Sequence, residues 1–193
     1  MEIMNDPQQN TENSSDSYWP SVLLAGGIFA IISFVLGLIF SYSQFNSEPS
    51  GTLISPIMIG NGVVCLATAF AGMLGVWHYT KEVTQSLKLG KGALIGFFSG
   101  AFVIIFSTLL NEIWTYIDPS YTEKLIESFV ANYEAMDMPE ETKNTMIDAT
   151  VESIRDQNML TTMLTGIPLY GLLNLITGMI GVKLFASRED DEF

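Results

Sequence analysis

Few side chains in this sequence are equipped for chemistry, and their spacing narrows what that chemistry is. The one histidine, His78, stands between Trp77 and Tyr79, with Lys81 and Glu82 just beyond. An imidazole beside a serine can activate the hydroxyl as a nucleophile, but no Gly-x-Ser-x-Gly elbow occurs and such a pair works only in a set geometry. Aromatic and charged neighbours instead fit a histidine at a membrane–water interface. One histidine also excludes a multi-histidine metal centre. Cys65 is the lone cysteine, so no intrachain disulfide forms. Methionines such as Met159 and Met163 have no stronger ligand beside them and read as packing rather than a copper site. The Gly90-Lys-Gly92 turn is too little to hold phosphate. Catalytic residues, cofactor and metal ligands are all expected to be none, and no enzyme signature is present.

Polar residues within apolar surroundings form the second group. Glu112, beside Asn111, is the acid nearest a span interior. Acids within membranes often mark ion or proton paths, because burying their charge is costly. Counting from Gly92, however, about 20 residues of span bring Glu112 to the boundary beside Trp114 and Tyr116, where water and Asn111 would satisfy it. Asn61 and Asn174 lie deeper and are suited to hydrogen bonds between helices, worth on the order of 1 kcal/mol. Pro168 should free the Leu164 carbonyl and kink its helix.

The elements that must position these residues follow from charge and hydropathy. Of the 193 residues, 48% are hydrophobic and 15% charged, and mean hydropathy is +0.33. No charge occurs in residues 17–47, 49–80, 92–111 or 157–182. Each run is long enough for a membrane helix, which excludes an ordinary soluble globule. The predicted class is all-α: an integral membrane four-helix bundle with spans at 19–42, 53–79, 92–116 and 159–185. Residues 1–17 form a polar tail without a basic start, so the first span reads as a retained helix and not a cleaved signal. Residues 188–193 form an acidic, solvated tail. Lys81, Lys88, Lys91, Lys183 and Arg188 place both termini and the 81–91 loop in the cytoplasm. Eight basic against 21 acidic residues, net −13, is the wrong sign for nucleic acid.

Small residues recur every fourth position: Gly92, Gly96 and Gly100; Ala67, Ala71 and Gly75; Ser33, Gly37 and Ser41. Such stripes let helix backbones approach closely, within one chain or between copies. Gly27-Ile-Phe-Ala-Ile-Ile32 is similar to Gly100-Ala-Phe-Val-Ile-Ile105, and Gly72-Met-Leu-Gly-Val76 to Gly178-Met-Ile-Gly-Val182. Two tandem transmembrane hairpins of one orientation would explain the pairs. Between spans three and four, residues 118–158 carry ten acids against Lys124, Lys143 and Arg155. Ser120 with Glu123 fits a capping box. Leu125, Ile126, Phe129, Val130, Tyr133 and Met136 recur at helical spacing, as do Met146, Ile147, Val151 and Ile154 beyond Pro139. This is an extracytoplasmic, amphipathic helical hairpin whose acidic face disfavours anionic lipid. It reads either as a solvated cap or as a docking platform.

The span order, the turn Leu87-Lys-Leu-Gly-Lys-Gly-Ala93 and the segment Ile117-Asp-Pro-Ser-Tyr121 resemble the bacterial membrane family called domain of unknown function 4199. The resemblance covers residues 18–187 and implies four membrane helices in a bacterial plasma membrane, with no activity or site residues to carry over. The expected function is a non-enzymatic accessory or scaffold protein in the lipid bilayer, binding a protein partner or a second copy of itself. The alternative is a small transporter or oligomeric channel.

Overall fold

The computed structural model describes residues 17–52 and 54–187. The expected tails, Ser17 excepted, lie outside them. Seven helices, and among the described residues no strand, follow in order: α1 (Trp19–Phe45), α2 (Pro56–Thr68), α3 (Ala71–Glu82), α4 (Leu89–Ile117), α5 (Tyr121–Glu134), α6 (Glu140–Arg155) and α7 (Met159–Phe185). Four stretches are long and apolar enough to cross a membrane: Trp19–Phe45, Pro56–Glu82, Leu89–Ile117 and Met159–Phe185. At 1.5 Å per residue each is about 40 Å long, ample for a hydrocarbon core of about 30 Å.

The second of these stretches is not one helix. It starts at Pro56, three residues later than hydropathy suggested, because Ser55 accepts a hydrogen bond from the Met58 N–H and proline fits the first turn. It then breaks at Ala69 and Phe70. Thr68 Oγ1 donates back to the carbonyls of Val64 (2.8 Å) and Cys65 (3.1 Å), and Phe70 N bonds only three residues back, to Ala67 O. Such back-bonding bends helices. The break leaves the first N–H groups of α3 without carbonyls of their own helix. Asn174 of α7 fills the gap: its Oδ1 accepts from the Gly72 N–H at 2.7 Å, while its Nδ2 donates to Tyr170 O at 2.9 Å.

Glycines surround that contact. Cβ atoms added to Gly72 and Gly96 would lie 2.2 and 2.1 Å from the Asn174 carbonyl oxygen, and one on Gly100 would lie 2.3 Å from the Tyr170 oxygen. The Gly92, Gly96 and Gly100 stripe therefore packs α4 on α7 within one chain. Gly75 likewise seats α3 against Ile95 and Ser99. Val22, Val76, Tyr79, Leu87, Ile95 and Val182 complete a close-packed core. All six belong to the end of the molecule that carries the start of α1 and the α3–α4 connection. Pro168 is held within the continuous helix α7. The paired repeat glycines differ in surroundings: Gly100 is tightly packed, whereas nothing lies within 4 Å of a Cβ on Gly27.

At the opposite end α5 and α6 pack together, and α5 also rests on α1. Tyr133 accepts a hydrogen bond from Thr150 across the pair, at 3.3 Å, and Ile126 and Met136 are buried. Buried Asn132 holds the α1–α2 loop, accepting from Ser50 N (3.1 Å) and donating to Thr52 O (2.8 Å). Gly51 in that loop has φ +61°, and a Cβ there would meet Ala135 O at 2.6 Å. The capping box is not formed. The Ser120 hydroxyl donates to Asp118 Oδ1 at 2.6 Å instead, and Glu123 faces Arg155 at 3.8 Å. Ser120 has helical backbone angles (φ −85°, ψ −4°) where a capping residue is extended, so its oxygen is not presented to the N–H groups of the first turn.

Gly96→Ala should lower the unfolding temperature in detergent markedly, because the new methyl meets backbone, while Gly27→Ala should leave it unchanged. Asn174→Leu should cost about 1–3 kcal/mol by orphaning the Gly72 N–H, as measured by chemical unfolding.

Candidate functional site

The helices that close one end of the molecule leave the other end open. α3 packs on α7, α4 and α1, but the only helix α2 packs against substantially is α1. There Gly60 sits under the Phe40 ring, where any Cβ would collide. The break at residues 69–70 thus lets the second stretch follow α7 in one half and depart from it in the other. Between α1, α2, α4, the hairpin and the start of α7 lies a cavity of about 530 Å³. That size suits a small-molecule ligand.

One wall of the cavity comes from the Ser33, Gly37 and Ser41 stripe of α1. The stripe was expected to pack against a helix, yet a Cβ on Gly37 would have nothing within 4 Å. At Gly37 the small residue makes room, whereas Ser33 and Ser41 on either side of it are buried. α4 contributes Ser107, Thr108, Asn111, Glu112 and Thr115; α2 contributes Ile57, Asn61 and Val64. Leu125 and Phe129 of α5 and Met159 of α7 add apolar surface. Several hydroxyls are already committed as donors to their own helices: Ser33 to Ala30 O, Ser107 to Ile104 O and Thr115 to Glu112 O. The oxygen lone pairs of these groups remain as acceptors.

Three of the five polar residues singled out from sequence, Asn61, Asn111 and Glu112, line this one cavity. The expected Asn111–Glu112 pairing is not formed, because Asn111 Nδ2 donates to Ser107 O at 2.9 Å. A helical amide finds the carbonyl one turn back more readily than its own sequence neighbour. Asn174 lies apart, fully buried in the α3–α4–α7 contact. His78 is also apart, its Nδ1 2.9 Å from the Ser21 hydroxyl. Histidine and serine do meet, with Ser21 1% exposed. The bond joins α3 to α1. Lys81 lies over the Trp77 ring and Lys91 over the Tyr79 ring at the same end. Among the described residues no cluster of three or more His, Cys, Asp or Glu could hold a metal ion.

A polar latch ties the hairpin to α1 and the end of α4. Asp118, just past α4, accepts from the Ser120 hydroxyl, from the Tyr42 hydroxyl of α1 (2.6 Å) and from Lys124 Nζ (3.1 Å). The Ser120 hydrogen bond, then that of Tyr42, with Lys124 adding to both, holds its carboxyl well below the usual carboxylate range. Tyr121 donates to Ser41 Oγ at 2.8 Å, and burial pushes its phenol up, so it stays a neutral donor. Sequence reading missed Tyr42, Asp118 and Asn132, although the acid directly after a span was a visible sign of a helix-end anchor.

Against known proteins, residues 24–183 match the family described as "Protein of unknown function (DUF4199)". That range is most of the chain, and the chain belongs to this family. No curated protein and no solved structure matches it.

A carboxyl held below its ordinary value stabilises the fold above that value and loses the contribution as pH falls through the lower one. Acidification from pH 7 to about 4, the ordinary carboxylate range, should therefore leave the amide protection of α5 intact. Below it, hydrogen exchange in α5, corrected for intrinsic rate, should accelerate. Asp118→Asn should show that acceleration already at pH 7.

Proposed function

We propose that this member of the family is a membrane-embedded binding protein for a small amphiphilic solute, of the receptor or carrier class, and not an enzyme. One observation carries the reading: one half of the molecule is a close-packed, glycine-lined core, and the other half holds a half-open cavity lined by hydroxyls, amides, one carboxylate and apolar side chains. Such a mixed lining gives a ligand apolar area and fixes its orientation through a few polar groups. In this reading the helices form a plasma-membrane bundle whose lysine-bearing end, with Lys81, Lys91 and Lys183, faces the cytoplasm. The hairpin and cavity then face outward. α2, tied chiefly to α1 and jointed at Ala69 and Phe70, is the element free to close over a solute.

The scaffold reading keeps one specific support. α6 has no buried residue, and its acidic side, with Glu141, Asp148 and Glu152, has no partner helix beyond α5. A basic protein surface would suit it.

In a Cys65→Ser background, Asn61→Cys and Thr108→Cys should react with a membrane-impermeant maleimide added to the outer face of spheroplasts. Ser99→Cys, fully buried, should not. Gly37→Trp, which fills the cavity, should protect both sites. Failure of both cysteines to react would remove the cavity reading. If the scaffold role holds, reversing Glu141, Asp148 and Glu152 to lysine should abolish co-purification of a specific membrane partner while leaving cysteine reactivity unchanged.

A further inference from the structure

The cavity also specifies the charge of what it holds. Glu112 is the one carboxyl side chain in the lining; no lysine, arginine or histidine joins it. Among the described residues its carboxylate has no ion pair and no hydrogen-bond donor: Arg155 pairs with Glu123, Lys143 with Glu140 and Lys124 with Asp118, and the Asn111 amide donates to Ser107 O. Glu112 is exposed and so open to an incoming cation, and a cation paired to it beside the apolar part of the lining is attracted more strongly than in bulk water. An anionic ligand would be repelled, and a neutral one would gain nothing from the charge.

The remaining lining agrees. Ser33, Ser107 and Thr115 have given their hydroxyl hydrogens to helix carbonyls, so they offer lone pairs to a donor. Aromatic rings of Phe34, Phe40 and Phe129 line the same space, and rings attract ammonium groups. Acceptors in number favour an N–H-bearing ammonium over a quaternary one, which has no hydrogen to donate. Ile57, Val64 and Met159 supply a surface for an apolar body.

We infer that the ligand is a primary ammonium with an apolar body, its charge paired to Glu112; this rests on the cavity being a binding site. The ammonium has two sources, a free alkylamine or the headgroup of an aminolipid, and the chemistry that recognises it is the same.

The test uses the full chain in phosphatidylcholine nanodiscs and four probes of one chain length: hexylammonium, hexyltrimethylammonium, hexanol and hexanoate. Binding is read by saturation-transfer NMR against empty nanodiscs. Hexylammonium should bind best and hexanoate least. Glu112→Gln should weaken hexylammonium about tenfold, Glu112→Asp should weaken it less, and Glu127→Gln, outside the cavity, should not change it. Equal binding of hexanol and hexylammonium, indifferent to Glu112→Gln, would overturn the ammonium assignment. So would absence of all binding in a protein whose Asn61→Cys variant still reacts with maleimide. Only failure of both the Asn61→Cys and Thr108→Cys reactions would overturn the cavity itself, which keeps the two readings separable. Exchanging the lipid for phosphatidylethanolamine should lower hexylammonium binding if lipid ammonium groups occupy the cavity, and leave it unchanged if free amines do. Either result assigns the source and retains the chemistry.

Discussion

The rest of the structure depends on one hydrogen bond, from the Gly72 N–H to Asn174 Oδ1. A break in a helix orphans backbone groups, and where water is absent each orphan costs several kcal/mol. The second apolar stretch breaks at Ala69 and Phe70, in the middle of its length. It does so without a proline, because a side chain from α7 supplies the missing acceptor. That side chain reaches the N–H only because Gly72, Gly96 and Gly100 bring α3 and α4 against the Asn174 turn of α7. The glycines and the asparagine are thus one device. Neither part makes sense without the other.

From this device follows the asymmetry of the molecule. With α3 fixed on α7, the chain preceding the break turns away and leans on α1. One end becomes a close-packed core around Val76, Tyr79 and Ile95; the other becomes a lined space. The hairpin completes that space and is itself secured by polar contacts at its rim. Asp118, Tyr42, Ser120 and Lys124 form a cluster in which each donor has a charged acceptor, and Asn132 ties the α1–α2 loop to α5. Those bonds make the hairpin an integral roof. The acidic face of α6 nevertheless remains outward, so roof and platform are compatible roles.

Some expectations changed meaning once neighbours were known. Two stripes of four-residue spacing looked alike in sequence, yet Gly92, Gly96 and Gly100 meet α7 closely while Gly37, between buried Ser33 and Ser41, has open space beside it. Spacing records that a helix face is small; it does not record whether a second helix arrives there. Likewise Ser120 and Glu123 have the spacing of a capping box, but Asp118, two residues earlier, takes the serine. His78 carried no sign of its partner Ser21, which is 57 residues away in the chain.

The sequence by itself determined the number and placement of the apolar stretches, the helical hairpin between the last two, and the membership of the polar set Asn61, Asn111, Glu112 and Asn174. Those properties are local, written in runs of hydropathy and in periods of 3.6 residues. Tertiary structure alone decided which of these residues share a space. Asn174 became a cap within the core, and Asn61, Asn111 and Glu112 became lining. The physical reason is that burial and partnership belong to pairs of elements. Whether α2 follows α7 or departs from it turns on a single carbonyl–amide exchange, and no periodicity along one strand of sequence encodes an exchange between two.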